Sequence, residues 1–372
     1  MNRNNIKFYT NCIPVRGFER SLIYDLPRQN ADYIPNSLYE IMSNCDGYTL
    51  KDIKLKYHND DNGNEIIDEY FLFLKSKDYL FLCSKDELKL YPPLNLSYEN
   101  PSYITNAVIE IKNTTLNNIN KKLIKEFDSL LCNAIQLRVL EKIPFEKLKN
   151  ILLIFEKSNV EIIELIVKYS DISYEDLIKQ FTRINRIIIF SAPYSKSINL
   201  FENKKNICYI NEDIYFNCEL INKQNMIVNM PFFTESQHYN TCLNRKICID
   251  ENGEIKNCPA MKHSFGNIKN STMEEALNKP GFKDLWGIRK DYIDVCKDCE
   301  FRYMCTDCRC FIKNPNDIYS QPAKCPYNPY IAKWESEEGY VPVEECGNYT
   351  RETGFVPNKR KINKLNKQIW SE

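Results

Sequence analysis

The sequence predicts an α/β protein built from several domains, and three observations lead to this prediction. Residues 1–95 place strand-like and helix-like segments in an α+β order. From residue 104 onward, apolar strand-like runs alternate with amphipathic helical runs, which is typical of a parallel sheet covered by helices. From residue 236 the chain becomes irregular and rich in cysteine. With 372 residues, the chain has room for two or three domains.

The first segment, residues 1–95, is predicted to be a winged-helix-like domain, because two strands precede three short helices and a closing strand. Capping boxes, in which a side chain satisfies a free amide at a helix start, are predicted for Ser37 with Glu40 and for Thr49 with Asp52. The predicted strands are residues 20–24, 31–34 and 79–83, and the third helix, after a turn at residues 59–63, carries Ile66, Tyr70, Phe71 and Leu74.

The second segment, residues 100–235, follows a linker with three prolines and is predicted to consist of repeated βα units. Pro144 is predicted at the first position of one helix, and Ser173 with Asp176 at the start of another. Such units form a parallel sheet that is either open or curled into part of a barrel. The predicted strands are residues 104–111, 134–140, 160–167 and 187–190, with helical apolar faces at 116–130, 145–155 and 177–184 between them.

The third segment, residues 236–346, is predicted to be irregular, with a strand at residues 246–250 and short helices at 273–277 and 282–288. The tail, residues 347–372, is polar and basic. We expect it to be a poorly ordered end without a function.

The composition excludes several classes of function. Lysine plus arginine (50) balances aspartate plus glutamate (50), which argues against binding nucleic acid or a membrane surface through a basic excess. The start of the chain shows no secretory signal, and no apolar run approaches the roughly 18–20 residues of a spanning helix. We therefore expect a cytoplasmic protein, in which spaced cysteines more often ligate metal than form disulfides.

An ordered array of cysteines in the third segment is the strongest functional signal. It reads C-x10-G-x4-C, then C-x2-C-x5-C-x2-C-x-C, then a closing cysteine. Short C-x2-C loops supply two ligands to an iron–sulfur cluster, although zinc sites use the same pairs. Cys248, within the strand at 246–250, is either a further ligand or a small buried residue. The array consists of Cys242, Cys258, Cys296, Cys299, Cys305, Cys308, Cys310 and Cys325, and its eight thiolates are enough for two [4Fe–4S] clusters.

This array resembles the SPASM domain, the C-terminal module of many radical-SAM peptide-modifying enzymes, which binds two auxiliary [4Fe–4S] clusters. One departure is that the fourth cysteine of the central motif is expected at Arg309, which Cys308 and Cys310 flank. By the crossed ligation of that family, Cys296, Cys299, Cys305 and Cys325 hold one cluster. The resemblance assigns the other cluster to Cys242, Cys258 and either Cys308 or Cys310, with Cys248, the second cysteine of that pair or His238 as the fourth ligand.

The motif that binds S-adenosylmethionine in radical-SAM enzymes is missing. Those enzymes carry C-x3-C-x2-C after the first barrel strand, whereas residues 109–116 contain no cysteine and the spacing occurs nowhere before residue 242. The fold class that the resemblance implies is therefore a degenerate radical-SAM-type partial (β/α) barrel between the winged-helix-like domain and the SPASM domain. We expect S-adenosylmethionine not to be a cofactor.

A SPASM array without this loop resembles peptide maturases of the grasp-with-spasm type. The resemblance implies that residues 1–95 bind the leader of a ribosomally made precursor peptide, by adding it as a strand to a sheet edge. It also implies an ATP-grasp ligase as a partner, in keeping with the absence of a glycine-rich phosphate loop from this sequence. The alternative is a zinc-stapled peptide-binding adaptor without its own chemistry.

Overall fold

The computed structural model describes residues 4–57, 61–202, 204–213, 220–306, 308–350 and 352–370. Its strands are β1 (Asn5–Phe8), β2 (Cys12–Arg16), β3 (Ser21–Asp25), β4 (Asn30–Ile34), β5 (Leu80–Cys83), β6 (Asn106–Ile111), β7 (Ala134–Val139), β8 (Ile162–Lys168), β9 (Ile184–Phe190), β10 (Lys196–Leu200), β11 (Lys205–Tyr209), β12 (Lys246–Ile249), β13 (Ile255–Lys256), β14 (Tyr327–Asn328), β15 (Lys333–Trp334), β16 (Gly347–Thr350) and β17 (Gly354–Pro357). Its α-helices are α1 (Asn36–Asn44), α2 (Leu50–Tyr57), α3 (Asp61–Ser76), α4 (Lys121–Ser129), α5 (Phe145–Phe155), α6 (Tyr174–Gln180), α7 (Met230–Ser236), α8 (Met273–Leu277) and α9 (Lys359–Ile369).

The chain divides into two compact units that interleave along the sequence. The first unit combines Met1–Tyr98, Leu220–Thr241 and Ile288–Glu372, and the second combines Glu99–Glu219 and Cys242–Gly287. The cysteine array is therefore shared between the units, with Cys242 to Cys258 in the second and the remainder in the first.

The second unit is built on an eight-stranded sheet in the order β10-β11-β9-β8-β7-β6-β12-β13. Every pairing from β11 to β12 is parallel, and the outermost pairings, with β10 and β13, are antiparallel. The predicted α/β fold with a mainly parallel sheet is confirmed. The closing of this sheet into a partial barrel stays a prediction.

One face of this sheet forms the main apolar core. Because successive strand residues point to opposite faces, Ala107, Ile109 and Ile111 of β6 share one side. They pack with Phe127 of α4 and Leu152 of α5, which are fully buried. Burial of one such side chain contributes roughly 1.5–3 kcal/mol, so this face holds the unit together.

Of the two helix starts predicted in the second unit, one lies at the predicted residue and the other differs by one position. The Ser173 side chain accepts a hydrogen bond from the Asp176 amide and caps α6, as predicted. Pro144 lies one residue earlier than predicted, at the N-cap of α5.

In the first unit, the N-terminal strands form two sheets, and these sheets pack with the N-terminal helices around one apolar cluster. β1 pairs with β5, and β2, β3 and β4 form a three-stranded sheet in that order. The strands predicted at 20–24, 31–34 and 79–83 are confirmed as β3, β4 and β5, whereas β1 and β2 were not predicted. The cluster between the helices includes Ile23, Leu38, Ile53, Ile67 and Leu74. The winged-helix assignment stays a prediction.

Of the two predicted capping boxes, one is confirmed. Thr49 and Asp52 exchange hydrogen bonds at the start of α2, with the Thr49 amide 3.4 Å from the Asp52 carboxylate and the Asp52 amide 3.2 Å from the Thr49 hydroxyl. The box at Ser37 is wrong, because Pro35 is the N-cap of α1 and the Ser37 hydroxyl lies 2.7 Å from the Tyr70 hydroxyl instead. The predicted turn at 59–63 is wrong for residues 61–63, which begin α3, and residues 59 and 60 lie outside the described residues.

Two predictions for the last part of the chain are wrong. Residues 282–287 form turns rather than a helix, and the Phe282 ring packs against those of Phe265 and Trp286 at centroid distances of 4.9 and 6.1 Å. The tail is ordered as β16, β17 and α9. Ile362 of α9 is fully buried beside Val295 and Tyr330, which anchors the helix despite its basic surface.

Among the described residues, no helix combines the length and the apolar character needed to cross a lipid bilayer.

Candidate iron–sulfur site

The C-x2-C loop of the first unit is a single tight turn. Val295 adopts a positive φ of 67°, and the following residues form a 3-10 turn, Cys296–Asp298. The Cys299 amide donates to the Cys296 carbonyl over 3.0 Å. The turn therefore supplies two thiols from one short loop, as the C-x2-C spacing predicts.

Four predicted ligands of one cluster line the same cavity in the first unit. Cys296 and Cys299 come from the turn, Cys305 from the next loop, and Cys325 from the approach to β14. Between these side chains the cavity leaves a volume of ≈ 20 Å³. Its other lining residues are Ile221, Met226, Lys290, Phe301, Arg302, Pro322, Tyr327 and Trp334.

Two of the thiols in this cavity, those of Cys299 and Cys325, lie in an environment that opposes ionisation. Burial raises the pKa of Cys299 well above its usual range, and the neighbouring Glu300 carboxylate and Cys296 raise it further. Burial also raises the pKa of Cys325, with Cys305 as a second cause. A bound metal centre supplies the positive charge that stabilises such thiolates, so this donor set fits an iron–sulfur cluster.

Two donors on the chain point at these sulfurs. The Phe301 amide donates to Cys299 Sγ over 3.4 Å, and Lys290 Nζ lies 3.6 Å from Cys305 Sγ. Among the described residues, no three His, Cys, Asp or Glu side chains are arranged to hold a single metal ion directly.

The second predicted set begins in the second unit. Cys248 lies in β12 opposite Val108 and Lys256 and is fully buried, as is nearly all of Cys258. Burial lowers the pKa of Lys246, but the nearby Cys242, Cys258 and Cys248 thiols raise it above its usual range. These three thiols therefore share one charged neighbour. The turn between β12 and β13 contains Gly253 at φ 83°, a left-handed position that favours glycine.

Cys308 and Cys310 lie in the first unit on either side of Arg309. The Arg309 guanidinium is buried and donates to the carbonyls of Ile318 and Ser320 over 2.8 and 2.9 Å. Arg309 therefore organises the loop that presents both cysteines. The choice between Cys308 and Cys310 as a ligand stays a prediction.

His238 has a partner that the sequence did not indicate. Its ring is exposed, and Nε2 lies 2.8 Å from the Leu96 carbonyl within the first unit. Its role as a fourth ligand stays a prediction.

The isolated cysteines outside the array are mostly packed as predicted. Cys12, Cys45, Cys83 and Cys132 are buried, Cys208 is half-buried, and Cys218 lies outside the described residues. Cys346 belongs to no sequence motif, and it is fully buried, with Asn328 Nδ2 donating a hydrogen bond to its sulfur over 3.3 Å.

A buried ion pair joins the three-stranded sheet to the C-x2-C loop. Glu300 follows Cys299 and is completely buried, and Arg20 Nε lies 2.8 Å from its carboxylate. Tyr327 donates to the same carboxylate oxygen over 2.5 Å, and Tyr24 donates to the Glu300 carbonyl over 2.6 Å. Nothing in the sequence pattern indicated this contact, because its partners are about 280 residues apart.

The second face of the eight-stranded sheet carries a row of charged side chains. Arg138 of β7 lies 3.4 Å from Glu110 of β6, and Arg186 of β9 lies 3.4 Å from Glu164 of β8. Gln136 joins the two pairs through hydrogen bonds to Arg138 and Glu164. This polar face contrasts with the apolar face that packs against the helices.

Glu110 gives the second unit a pH dependence. Burial, with a hydrogen bond that protonated Glu110 donates to Glu251 as the second cause, raises the pKa of Glu110 from 4.5 to about 7. Between these values the folded unit binds more protons than the unfolded chain, so its stability falls as the pH rises through this window. We expect Glu110→Gln, which stays neutral, to be roughly 2–3 kcal/mol more stable than the parent at pH 8 and equally stable at pH 4. Thermal unfolding at both pH values tests this, and an unchanged pH profile in the variant would contradict it.

Comparison with known proteins supports the iron–sulfur assignment. Residues 241–300 match the SPASM family, described as an iron–sulfur cluster-binding domain. The match includes Cys242, Cys258, Cys296 and Cys299 and ends before Cys305. The predicted resemblance to the SPASM domain is thus confirmed over this stretch, and the chain carries an iron–sulfur cluster-binding domain.

Solved structures add a distant likeness, and none of the curated proteins matches this chain. The crystal structure of Streptococcus suis SuiB shares 11% identity at a TM-score of 0.28, covering 86% of this chain and 99% of that one. The structure of Streptococcus suis SuiB bound to S-adenosylmethionine shares 10% sequence identity at a TM-score of 0.29, with the same coverage of both chains. The structure of SuiB bound to the precursor peptide SuiA shares 10% sequence identity at a TM-score of 0.26, covering 82% of this chain and 96% of that one. With these values the structural likeness is weak.

Proposed function

We propose that this protein is an iron–sulfur maturation factor for a ribosomally synthesised peptide. The observation that carries the proposal is that Cys296, Cys299, Cys305 and Cys325 line one cavity beside a segment that matches an iron–sulfur cluster-binding domain. These four cysteines hold one [4Fe–4S] cluster. Cys242 and Cys258, with Cys308 or Cys310 and a fourth ligand, hold another.

The cysteines have a structural role that follows from their surroundings. The first unit's C-terminal part has short strands and many turns, so ligand bonds contribute folding energy that its small apolar clusters do not supply. A bound cluster supplies electron transfer or an iron site for a substrate side chain. S-adenosylmethionine is not part of the proposal, because the sequence lacks the loop that binds it.

The leader of the precursor peptide binds along β4. This strand is an edge of its sheet, and an exposed edge accepts an extended peptide through main-chain hydrogen bonds. The other edge, β2, contains Pro14, which has no N–H to donate. Beside β4 lies a groove of ≈ 810 Å³ whose lining includes Tyr33, Lys367 and Trp370. ATP chemistry in the pathway belongs to an ATP-grasp partner, since this chain carries no glycine-rich phosphate loop.

Anaerobic reconstitution followed by iron and sulfide analysis tests the cluster assignment. We expect about eight iron and eight sulfide per chain, from two cubane clusters, with broad absorption near 400 nm. Zinc without sulfide would contradict the proposal and favour the zinc-stapled adaptor instead.

Trp370→Ala tests the leader site. Its ring is half-exposed and lines the groove, and exposed aromatic side chains are common anchors in peptide binding. We expect the variant to bind a candidate precursor peptide about tenfold more weakly, a loss of roughly 1.4 kcal/mol, in fluorescence titrations. Tyr349→Ala, which removes a comparably exposed ring that does not line the groove, serves as the control. Equal losses in both variants would argue against this site.

A further inference from the structure

Lys290 is a buried lysine among the predicted cluster ligands. It lies in a short 3-10 turn, Lys290–Tyr292, and only 5% of its surface is exposed. Its ammonium group lies 3.6 Å from Cys305 Sγ and 3.4 Å from the Thr306 carbonyl. Burying an ammonium group is costly unless it faces negative charge or acceptors, and the Cys305 sulfur and the Thr306 carbonyl are two such neighbours of Lys290.

The cavity around Lys290 is otherwise largely apolar. Phe301, Met226 and Trp334 line it together with the four cysteines. The other cation in the lining, Arg302, is directed toward oxygen atoms: its guanidinium lies 3.4 Å from the Asp291 carboxylate and 3.0 Å from the Cys299 carbonyl. Lys290 therefore differs from Arg302 in facing a sulfur.

The charge of Lys290 lies at the cysteine-lined cavity. Its ammonium group is 3.6 Å from Cys305 Sγ, and Cys325 lines the same cavity. In a cavity with few polar groups, a fixed charge at this distance interacts more strongly than it does in water. Lys290 is thus placed to stabilise negative charge on the sulfurs that surround the cavity.

We propose that Lys290 is a positioning residue that donates a hydrogen bond to the Cys305 thiolate and raises the reduction potential of the cluster bound there. This inference rests on the proposed function, in which Cys296, Cys299, Cys305 and Cys325 hold a cluster. One-electron reduction adds a negative charge to the cavity, and a nearby ammonium group stabilises the reduced form more than the oxidised form. Hydrogen bonds to ligand sulfurs and net charge are general determinants of such potentials.

The test compares three variants of the full-length reconstituted protein. Lys290→Met removes the charge and the donor, and Lys290→Arg keeps both. Lys297→Met removes a charge from the C-x2-C loop itself, where Lys297 pairs with Asp294 over 2.9 Å and is more than one-third exposed. Iron and sulfide are measured first. Redox titration followed by visible absorption and electron paramagnetic resonance then gives the midpoint potentials.

We expect Lys290→Met to retain its iron and to favour the oxidised form at least tenfold more than the parent, a shift of about 59 mV to lower potential for one electron. In Lys290→Arg and in Lys297→Met, the midpoint potential is expected to shift by less than half of this amount. Equal potentials in the parent and Lys290→Met, with full iron content, would overturn the role of Lys290 while leaving the cluster assignment intact. A parent protein without iron and sulfide would overturn both.

If Lys290→Met does not fold, Lys290→Gln provides the decisive comparison, since it keeps a donor and loses the charge. A potential equal to that of the parent in a folded Lys290→Gln variant would overturn the electrostatic role. Circular dichroism establishes that each variant is folded before its potential is compared.

Discussion

Replacing Cys299 with serine is expected to remove about half of the iron and sulfide from the reconstituted protein. Cys299 lines the cavity with Cys296, Cys305 and Cys325, and three thiolates with one hydroxyl bind a cubane cluster less well than four thiolates do. The other proposed cluster is expected to persist because its proposed ligands, Cys242 and Cys258 with Cys308 or Cys310, are left unchanged. Chemical analysis of iron and sulfide in parallel reconstitutions measures this effect.

Cys132→Ala is the matched control for this experiment. Cys132 is fully buried in the apolar core of the second unit and is not part of the array. Its replacement removes a thiol without removing a predicted ligand, so the iron content should stay at the parental value. Full iron content in Cys299→Ser would contradict the ligand assignment.

The replacement Arg20→Met is expected to lower the free energy of unfolding of the first unit by about 3–5 kcal/mol at pH 8. Glu300 is completely buried, and its pKa is raised by burial although Arg20 and Tyr327 act in the opposite direction. Without Arg20, the carboxylate either remains buried without its cation or takes up a proton at a cost. Urea unfolding of the reduced protein, followed by tryptophan fluorescence, measures the change.

Two comparisons separate this effect from a general loss of charge. Arg16→Met removes an exposed arginine that pairs with Glu40 on the surface, and such pairs contribute at most about 1 kcal/mol. The double variant Arg20→Met, Glu300→Gln should recover part of the lost stability, because no buried carboxylate remains. Equal stability of Arg20→Met and Arg16→Met would contradict the role given to the ion pair.

The parallel sheet was predictable because its information is local. The β6 and β7 segments have strand length and an apolar residue at least at every second position, and each is followed by an amphipathic helix or helical turn, so parallel order follows from that alternation. The Ser173 cap was equally local, since its hydroxyl and the Asp176 amide are three residues apart. By contrast, β1 pairs with β5 more than 70 residues later, and its four residues carry no periodicity that indicates this partner.

The tail was mispredicted because its charge outweighed a weaker apolar pattern. Ile362, Leu365 and Ile369 recur at helical spacing within a strongly basic segment. Their burial against Val295 and Tyr330 is a tertiary contact, and it decides that the segment folds as α9. The failed cap at Ser37 has a similar cause, since Tyr70 provides another partner for its hydroxyl.

The sequence by itself determined the chemical class of the site, because cysteine spacing in short loops is a local property that restricts which metal centres can bind. It also determined the alternation that builds the parallel sheet. Only the tertiary structure placed Lys290 beside the Cys305 sulfur and paired the buried Glu300 with Arg20. The physical reason is that burial, charge compensation and hydrogen bonding depend on which distant segments meet, and local patterns do not encode those contacts.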